Sequence, residues 1–442
     1  MTKEQNNNNP AHTEVENMVP ASSSKSSWVV KVMVTLMRIV VGGVFVFSGF
    51  VKAIDPWGTY YKLNEYLLTM GLDSLAGLTI FGAFALAAVE FVLGVLLLTG
   101  SCRRVVPVLA ALFMLVMTPL TLWLAITDAV PDCGCFGDYL VMSNWATFGK
   151  NVVLLAGTIY LVLLNKCVPS LYGPAVQWMV MLLSFILPIT ISVVGYFTQP
   201  MLDFRPYKIG TKLVSNATSP SDDDYVFIYA RDGVEREFTI DSVPDDDSDW
   251  EFVARKAVAP SHEHDSIATG NSFAVWDNGD DVSDELVTSE QLLLILIPEI
   301  EKVNIASTFL INELQEYAYR HGVNVVGVTS ASEEQIEEWN DIAMAHYPLY
   351  SADDSEIKMM ARGNPAIVYA RDGVVEWKRT LVSIDPQVIH DGELPVSQLA
   401  DDMNPKGRLL NFVLLYLASM LAVLIVNRTH LLFGRKKDKK KT

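Results

Sequence analysis

The sequence predicts an α-helical membrane protein with an inserted α/β domain, and three observations carry that reading. Half of the 442 residues are hydrophobic, and they gather into six runs, each near the roughly 20 residues that a bilayer requires. Charge is split along the chain. The net charge is −18, yet residues 201–405 hold 40 acidic against 14 basic residues, and the remainder holds 11 against 19. Within the acidic part, short β-branched and leucine-rich runs alternate with amphipathic helical ones, the pattern of an α/β unit. Nucleic-acid binding is excluded on both sides: the acidic part repels phosphates, and the basic residues sit where membrane edges should lie.

Taken in order, residues 1–27 are polar and repetitive, with Asn6-Asn7-Asn8-Asn9 and a serine-rich stretch, and read as a disordered cytoplasmic tail. The apolar run Trp28–Val51 exceeds a signal-peptide core and has no small-residue cleavage site after it, so it reads as a retained first span. Further spans are expected at Leu75–Thr99, Val105–Thr127, Ala146–Leu164, Val176–Phe197 and Leu409–Val426. The segments are thus a four-span bundle at 28–166, a fifth span at 171–198, an outer region at 199–405, a sixth span at 407–427 and a basic tail at 428–442. Arg103-Arg104, Lys166 and the lysine-rich tail after Arg435 fall on one side, which the positive-inside rule makes cytoplasmic. Both termini then lie inside, while the loop around Cys133 and residues 199–405 lie outside, in the periplasm of a bacterial inner membrane.

Two of the four cysteines stand in Asp132-Cys133-Gly134-Cys135-Phe136-Gly137-Asp138, between the third and fourth spans. A disulfide across Cys-x-Cys closes a very small ring. Strain makes such a bond labile, which suits exchange better than structure. The alternatives are two ordinary loop cysteines or half of a metal site. No second Cys or His cluster lies near in sequence, and no metal is expected. Cys102 and Cys167 fall at the cytoplasmic ends of spans two and four. A hydrocarbon thickness of about 30 Å separates them from the pair, so they read as reduced, inert thiols.

Charges inside spans mark pairing or function. Counted from Trp28 and from Gly100, Arg38 and Glu90 share one depth and are expected to form a buried ion pair. Lys150 lies about one turn below the outer edge. It either stabilises a thiolate in the nearby cysteine loop, snorkels to the surface or pairs with Asp138.

In the outer region a β-rich segment spans 199–287. Its hairpin, Tyr225–Ala230 and Glu235–Ile240 about Arg231-Asp232-Gly233, is echoed at Ile367–Trp377 about Arg371-Asp372-Gly373. Residues 288–405 follow as strand Gln291–Ile297, helix Ile305–His321, strand Val323–Val328, helix Ser332–Ala345 and strand Pro365–Tyr369. His262-Glu263-His264-Asp265 reads as an exposed acidic turn. Asp277-Asn278-Gly279-Asp280-Asp281 lacks the spacing of a calcium loop, and Asn216-Ala217-Thr218 is a glycosylation sequon only in a cell with that machinery.

Two resemblances follow from these residues. Ser48-Gly49-Phe50-Val51-Lys52-Ala53-Ile54-Asp55-Pro56-Trp57-Gly58, Glu90 with Gly94 and Gly100, and Asp132-Cys133-Gly134-Cys135-Phe136-Gly137 resemble the DoxX/MauE group of four-helix membrane proteins, in a fused form of the Bacteroides type. That resemblance implies a redox role: MauE-like proteins serve maturation of disulfide-rich periplasmic partners, and DoxX-like ones quinone-linked sulfur oxidation, which makes a quinone a candidate electron sink. Residues 288–405, with Gly363-Asn364-Pro365 before the third strand, resemble the thioredoxin fold. Where that family carries Cys-x-x-Cys, this chain reads Pro298-Glu299-Ile300-Glu301-Lys302-Val303-Asn304, so the domain binds or positions instead. The function expected is a redox accessory that passes disulfide equivalents at the outer face through Cys133 and Cys135, with Lys150 tuning them. It would act on a periplasmic protein or a thioredoxin-like oxidoreductase, as a thiol-disulfide or quinone-linked accessory. The alternative is a non-enzymatic scaffold or assembly factor for an envelope complex.

The charge distribution fixes a topological expectation. A membrane-impermeant thiol reagent applied to intact cells should label a cysteine probe at Ser221 and miss one at Lys439. Labelling at Lys439 would reverse the orientation.

Overall fold

A computed structural model describes residues 23–438 apart from 131, 165, 167–168, 216–224, 232–233, 239–250, 258–271 and 401–403, with backbone alone at 23–27, 73, 215–272 and 430–438. Cys167, the Asn216 sequon and the His262–Asp265 turn lie outside the described residues.

Among the described residues six helices are long and apolar enough to cross a membrane, as the composition predicts. They are α1 (Ser23–Ile54), α3 (Thr79–Thr99), α4 (Val106–Thr127), α5 (Asn144–Leu163), α6 (Gln177–Phe197) and α12 (Pro405–Asp438). Between the first two lies a helix not foreseen, α2 (Pro56–Thr69), started by Asp55, whose carboxylate accepts from Gly58 N at 2.9 Å, and by Pro56 in the first turn. In the bundle α1 packs on α3, α4 on α5, α6 on α1 and α3, and α12 on α6. Small residues let α1 and α3 touch backbone to backbone. A Cβ on Gly49 would lie 2.4 Å from Phe91 N, and one on Gly94 2.5 Å from Val46 N.

The chain then leaves α6 for the outer region. Two-residue strands β1 (Val214–Ser215) and β5 (Ser272–Phe273) pair in parallel, and β2 (Tyr225–Arg231), β3 (Val234–Phe238) and β4 (Glu251–Ala257) form an antiparallel sheet in the order β3-β2-β4. The expected hairpin is there, with Phe227 opposite Phe238. The hairpin of β6 (Trp276–Asp277) and β7 (Asp280–Asp281) turns on Asn278 and Gly279, both at positive φ, so the acidic run at 277–281 is a tight Asn-Gly turn.

After the short α7 (Ser283–Val287) come β8 (Gln291–Ile297), α8 (Ala306–Arg320), β9 (Asn324–Thr329), α9 (Glu333–Ala343), β10 (Leu349–Ser351), α10 (Asp354–Met360), β11 (Ala366–Arg371), β12 (Val374–Thr380) and α11 (Pro386–Asp391). The sheet runs β12-β11-β8-β9-β10-β6-β7, with β8, β9 and β10 parallel, and the Asn364–Pro365 bond before β11 is cis. β8 is apolar from Leu292 to Ile297 because both its faces are covered there. Leu293, Ile295 and Ile297 pack with Ile311 and Leu314 of α8, while Leu292, Leu294 and Leu296 pack with Ile357 and Met360 of α10. Helix α9 starts on a capping box in which Ser332 and Gln335 satisfy each other's backbone N–H groups.

The segment leaving α6 covers the outer edge of the sheet, which would otherwise offer unpaired backbone. Gly210 N donates to Val375 O at 2.7 Å, Val375 N to Thr211 O at 3.0 Å and Leu213 N to Gly373 O at 2.7 Å. Buried Lys378 of β12 meets Asp203 of the same segment at 2.9 Å, and Asp203 also holds Arg205 at 2.7 Å. The sheet is thereby tied to the end of the fifth span.

The α1–α3 contact predicts an asymmetry among glycines. Gly49→Ala and Gly94→Ala should each lower stability in detergent by about 1–3 kcal/mol through overpacking, while Gly43→Ala, with nothing within 4 Å of its added Cβ, should leave the melting temperature unchanged. Equal melting temperatures for all three variants would refute the backbone contact.

Candidate functional site

The cysteine loop sits over the end of the bundle that faces the α/β domain and is held by its backbone. Ser48 Oγ and Lys52 Nζ, one turn apart on α1, donate to Cys135 O at 2.7 and 2.8 Å. Tyr66 of α2 donates its hydroxyl to Cys133 O at 2.5 Å. Asp132 accepts from Gly134 N at 3.0 Å and pairs with Lys62 at 2.8 Å. Gly134 is at φ +63°, and a Cβ there would come 3.1 Å from Lys62 Cγ, so both conformation and space call for glycine. The loop ends on Phe136, packed against Phe47.

Both cysteines are free thiols here, with their sulfurs 2.9 Å apart. The hydrogen bond from the Cys133 thiol draws Cys135 down to about 6 against its burial, helped by the ammonium groups of Lys150 and Lys52. The same bond, with burial, pushes Cys133 far above the usual thiol range. The pair therefore sheds one proton near neutrality and keeps the other between its sulfurs. Lys150 lies 4.2 Å from the centre of the Phe136 ring and lines a small pocket with Cys135.

Lys150 does not pair with Asp138, and Arg38 does not pair with Glu90. Glu90 holds Lys52 at 2.8 Å, and both are buried. Arg38 instead donates to Leu98 O at 2.8 Å and Pro169 O at 2.7 Å, at the C-terminal end of α3. Depth counted from Trp28 fails because α1 starts earlier, at Ser23, and crosses α3 with Gly42 beside Leu98 and Gly49 beside Phe91. Lys52 belongs to the quoted motif, and its i, i+4 spacing from Ser48 was the available signal.

Asp138 is taken by the outer domain. Arg362, immediately before Gly363-Asn364-Pro365, is 4% exposed and reaches Asp55 through two nitrogens, at 2.9 and 2.7 Å, and Asp138 at 2.6 Å. Burial pulls this guanidinium down, but the two carboxylates raise it on balance and keep it charged. Gly58 is required beside it: a Cβ would lie 2.6 Å from Asp55 Oδ2 and 2.9 Å from Arg362 Nη2. Nearby, Glu299 Oε2 accepts from Tyr60 OH at 3.3 Å, and Asn364 Nδ2 donates to Glu299 O at 2.6 Å. The edge of the α/β domain formed by 298–302 and 362–365 thus faces α2 and the cysteine loop. A cavity of about 690 Å³ lies between them. Cys102 is remote, in the turn between α3 and α4, with its sulfur 3.5 Å from Gln177 Oε1. No group of three or more metal-ligating side chains occurs among the described residues.

Residues 30–164 match the family model described as methylamine utilisation protein MauE, which covers α1 to α5 and the cysteine loop. Residues 224–259 match a domain of unknown function, DUF8463. No curated protein and no solved structure matches the chain.

Breaking the buried pair should be costly, because a lone charge stays behind. Glu90→Gln or Lys52→Met should each lower stability by about 3 kcal/mol, and the double variant Lys52→Met/Glu90→Leu should recover much of that loss. Additive losses in thermal unfolding would show that the two charges are not coupled.

Proposed function

We propose that this MauE-like membrane protein passes disulfide equivalents at the outer face of the membrane, with Cys133 and Cys135 exchanging and Lys150 favouring the thiolate. The observation that carries the reading is the thiol pair itself, with sulfurs 2.9 Å apart and one thiol drawn to about 6 in a loop whose backbone is fixed on both cysteines. A thiolate near neutral pH is the reactive species in exchange. The fixed carbonyl groups leave the sulfurs as the parts free to react.

In the reductive direction a thiolate of the pair attacks one sulfur of a partner disulfide, and the partner's other sulfur leaves as a thiolate and takes a proton. The second cysteine of the pair then attacks the first, forming the Cys133–Cys135 bond and releasing the partner as a dithiol. The reverse sequence oxidises the partner. The cysteine-free domain holds that partner. Its order β12-β11-β8-β9 and the cis bond before β11 support a thioredoxin-like reading, and its edge at 298–302 and 362–365 is the one turned to the cysteine loop. The charge distribution supports a periplasmic site for this chemistry. A quinone does not fit beside Cys135 as the bundle stands: the pocket of Phe45, Phe113, Met114, Met117 and Leu154 measures about 40 Å³, room for water rather than a ring.

Alkylation of the reduced protein should rise with pH through about 6, since the thiolate forms above its pKa, and Lys150→Met should move that midpoint upward with the fold intact. A mixed disulfide with a periplasmic protein should be trapped on a single Cys→Ser variant of the pair. A midpoint of about 8.5 with or without Lys150, together with no trapped partner, would leave only the scaffold reading.

A further inference from the structure

At the end of the bundle that faces the α/β domain, two stretches almost without charge lead into spans. Between Glu65 and Glu90 the sequence carries one charged residue, Asp73, and between Asp138 and Lys150 it carries none. Large apolar side chains stand exposed there before either span begins: Leu68, Met70 and Leu72 ahead of the span from Ser74, and Leu140 and Val141 ahead of the span from Asn144. Leu68 is 63% and Val141 69% exposed. The exposed surface runs on into the spans, through Leu75, Leu78 and Phe81 in one and Trp145 in the other. An apolar surface of that extent marks a place of contact, and the surface it continues is the one that helices of spanning length turn to lipid.

Helix α2 lies level with these stretches. Its 14 residues reach about 21 Å, short of a hydrocarbon core of about 30 Å, and it packs across the bundle end instead of through it. Leu63 meets the first turn of α3, where a Cβ added to Gly82 would lie 3.4 Å from Leu63 Cδ1. Trp57 meets the last turn of α6, stacked on Tyr196 at 4.8 Å and donating from Nε1 to Tyr196 O at 3.0 Å. Trp and Tyr collect at the headgroup level, where an apolar ring and a polar tip are both satisfied. Helix α2 supplies Trp57, Tyr60, Tyr61 and Tyr66, and Tyr139 of the second stretch packs edge-on against Phe47 of α1. The cysteine loop is tied to the same level, because the Tyr66 hydroxyl holds Cys133 O and Lys62 holds Asp132.

We infer that residues 68–78 and 139–145 are seated in the headgroup layer of the bilayer, so that lipid is the partner of this apolar rim and the cysteine loop works at the membrane surface. The seating stands on sequence, exposure and helix length. One consequence rests on the exchange function proposed above: the disulfide that reacts with the pair has to be presented at the lipid surface, as it is by a partner anchored in the membrane or laid against it.

The test uses the full-length protein in nanodiscs, with its cysteines in place and a fluorescent amino acid incorporated at one site at a time, at Leu68, Leu72 or Val141. Val116, exposed in the middle of α4, is the reference for the bilayer interior. Asn324 is the reference for water, since it is exposed at the far end of β9, roughly 17 Å from the edge that faces α2. A nitroxide on the lipid headgroup should quench the three rim probes severalfold more strongly than the probe at Asn324, and more strongly than a nitroxide at the middle of the acyl chain does. The probe at Val116 should show the reverse order. Rim probes that respond like Asn324, to iodide in the water and to neither lipid nitroxide, would overturn the inference. So would rim probes that no quencher reaches, because protein then covers the surface. A probe that unfolds the protein at one site leaves the other two to decide. None of these readings needs exchange activity: failure to trap a mixed disulfide sinks the function and leaves the seating intact, while rim probes in water sink the seating and leave the function.

Discussion

The buried guanidinium of Arg362 is the constraint on which the outer half of the molecule depends. It enters from the loop before β11, takes both oxygens of Asp55 at the end of the first span and reaches Asp138 at the end of the cysteine loop. Two segments of the membrane part are joined by one planar cation from a third, which lies more than two hundred residues further along the chain. A planar fork suits this arrangement, since it can hold one carboxylate through two nitrogens and still reach a second. A buried charge is tolerable only with such complete pairing. Asp55 shows how closely local and tertiary demands are combined, because the carboxylate that caps α2 also receives the arginine, and Gly58 leaves room for both.

A second buried cation, Lys52, organises the inner side of the loop. It meets Glu90, Ser48 and Cys135 O within 2.8 Å, so its three donors are all used. The loop therefore rests on the bundle through Lys52 and Ser48, on α2 through Tyr66 and Lys62, and on the outer domain through Asp138. Each of these contacts is to backbone or to a residue flanking the cysteines. The loop is thus anchored without use of either cysteine sulfur.

The α/β domain meets the membrane part through the edge formed by 298–302 and 362–365. Glu299 and Lys302 bond to each other and to Tyr60 of α2. That edge is turned onto the membrane part, beside the loop that carries Cys133 and Cys135. The covered edge at β12, tied back through Asp203 and Lys378, fixes the domain at a second point.

The sequence by itself determined everything that depends on composition and on short-range spacing. Six spans follow from apolar length, the α/β alternation from period, the turns from Arg-Asp-Gly and Asn-Gly, and the cysteine loop from two thiols one residue apart. Those features are local, so neighbours along the chain suffice to specify them. Depth within a membrane and partnership across it are not local. Arg38 and Glu90 looked level because depth was counted from Trp28, whereas the crossing of α1 and α3 at Gly42, Gly49 and Gly94 gives Glu90 to Lys52 and Arg38 to carbonyl groups. Nothing in its local sequence sets Arg362 apart from the other charges of the region. Only the tertiary structure, by bringing residues 55, 138 and 362 to one buried point, decided that it joins the two halves, because a charge out of water must find its partners wherever the chain has placed them.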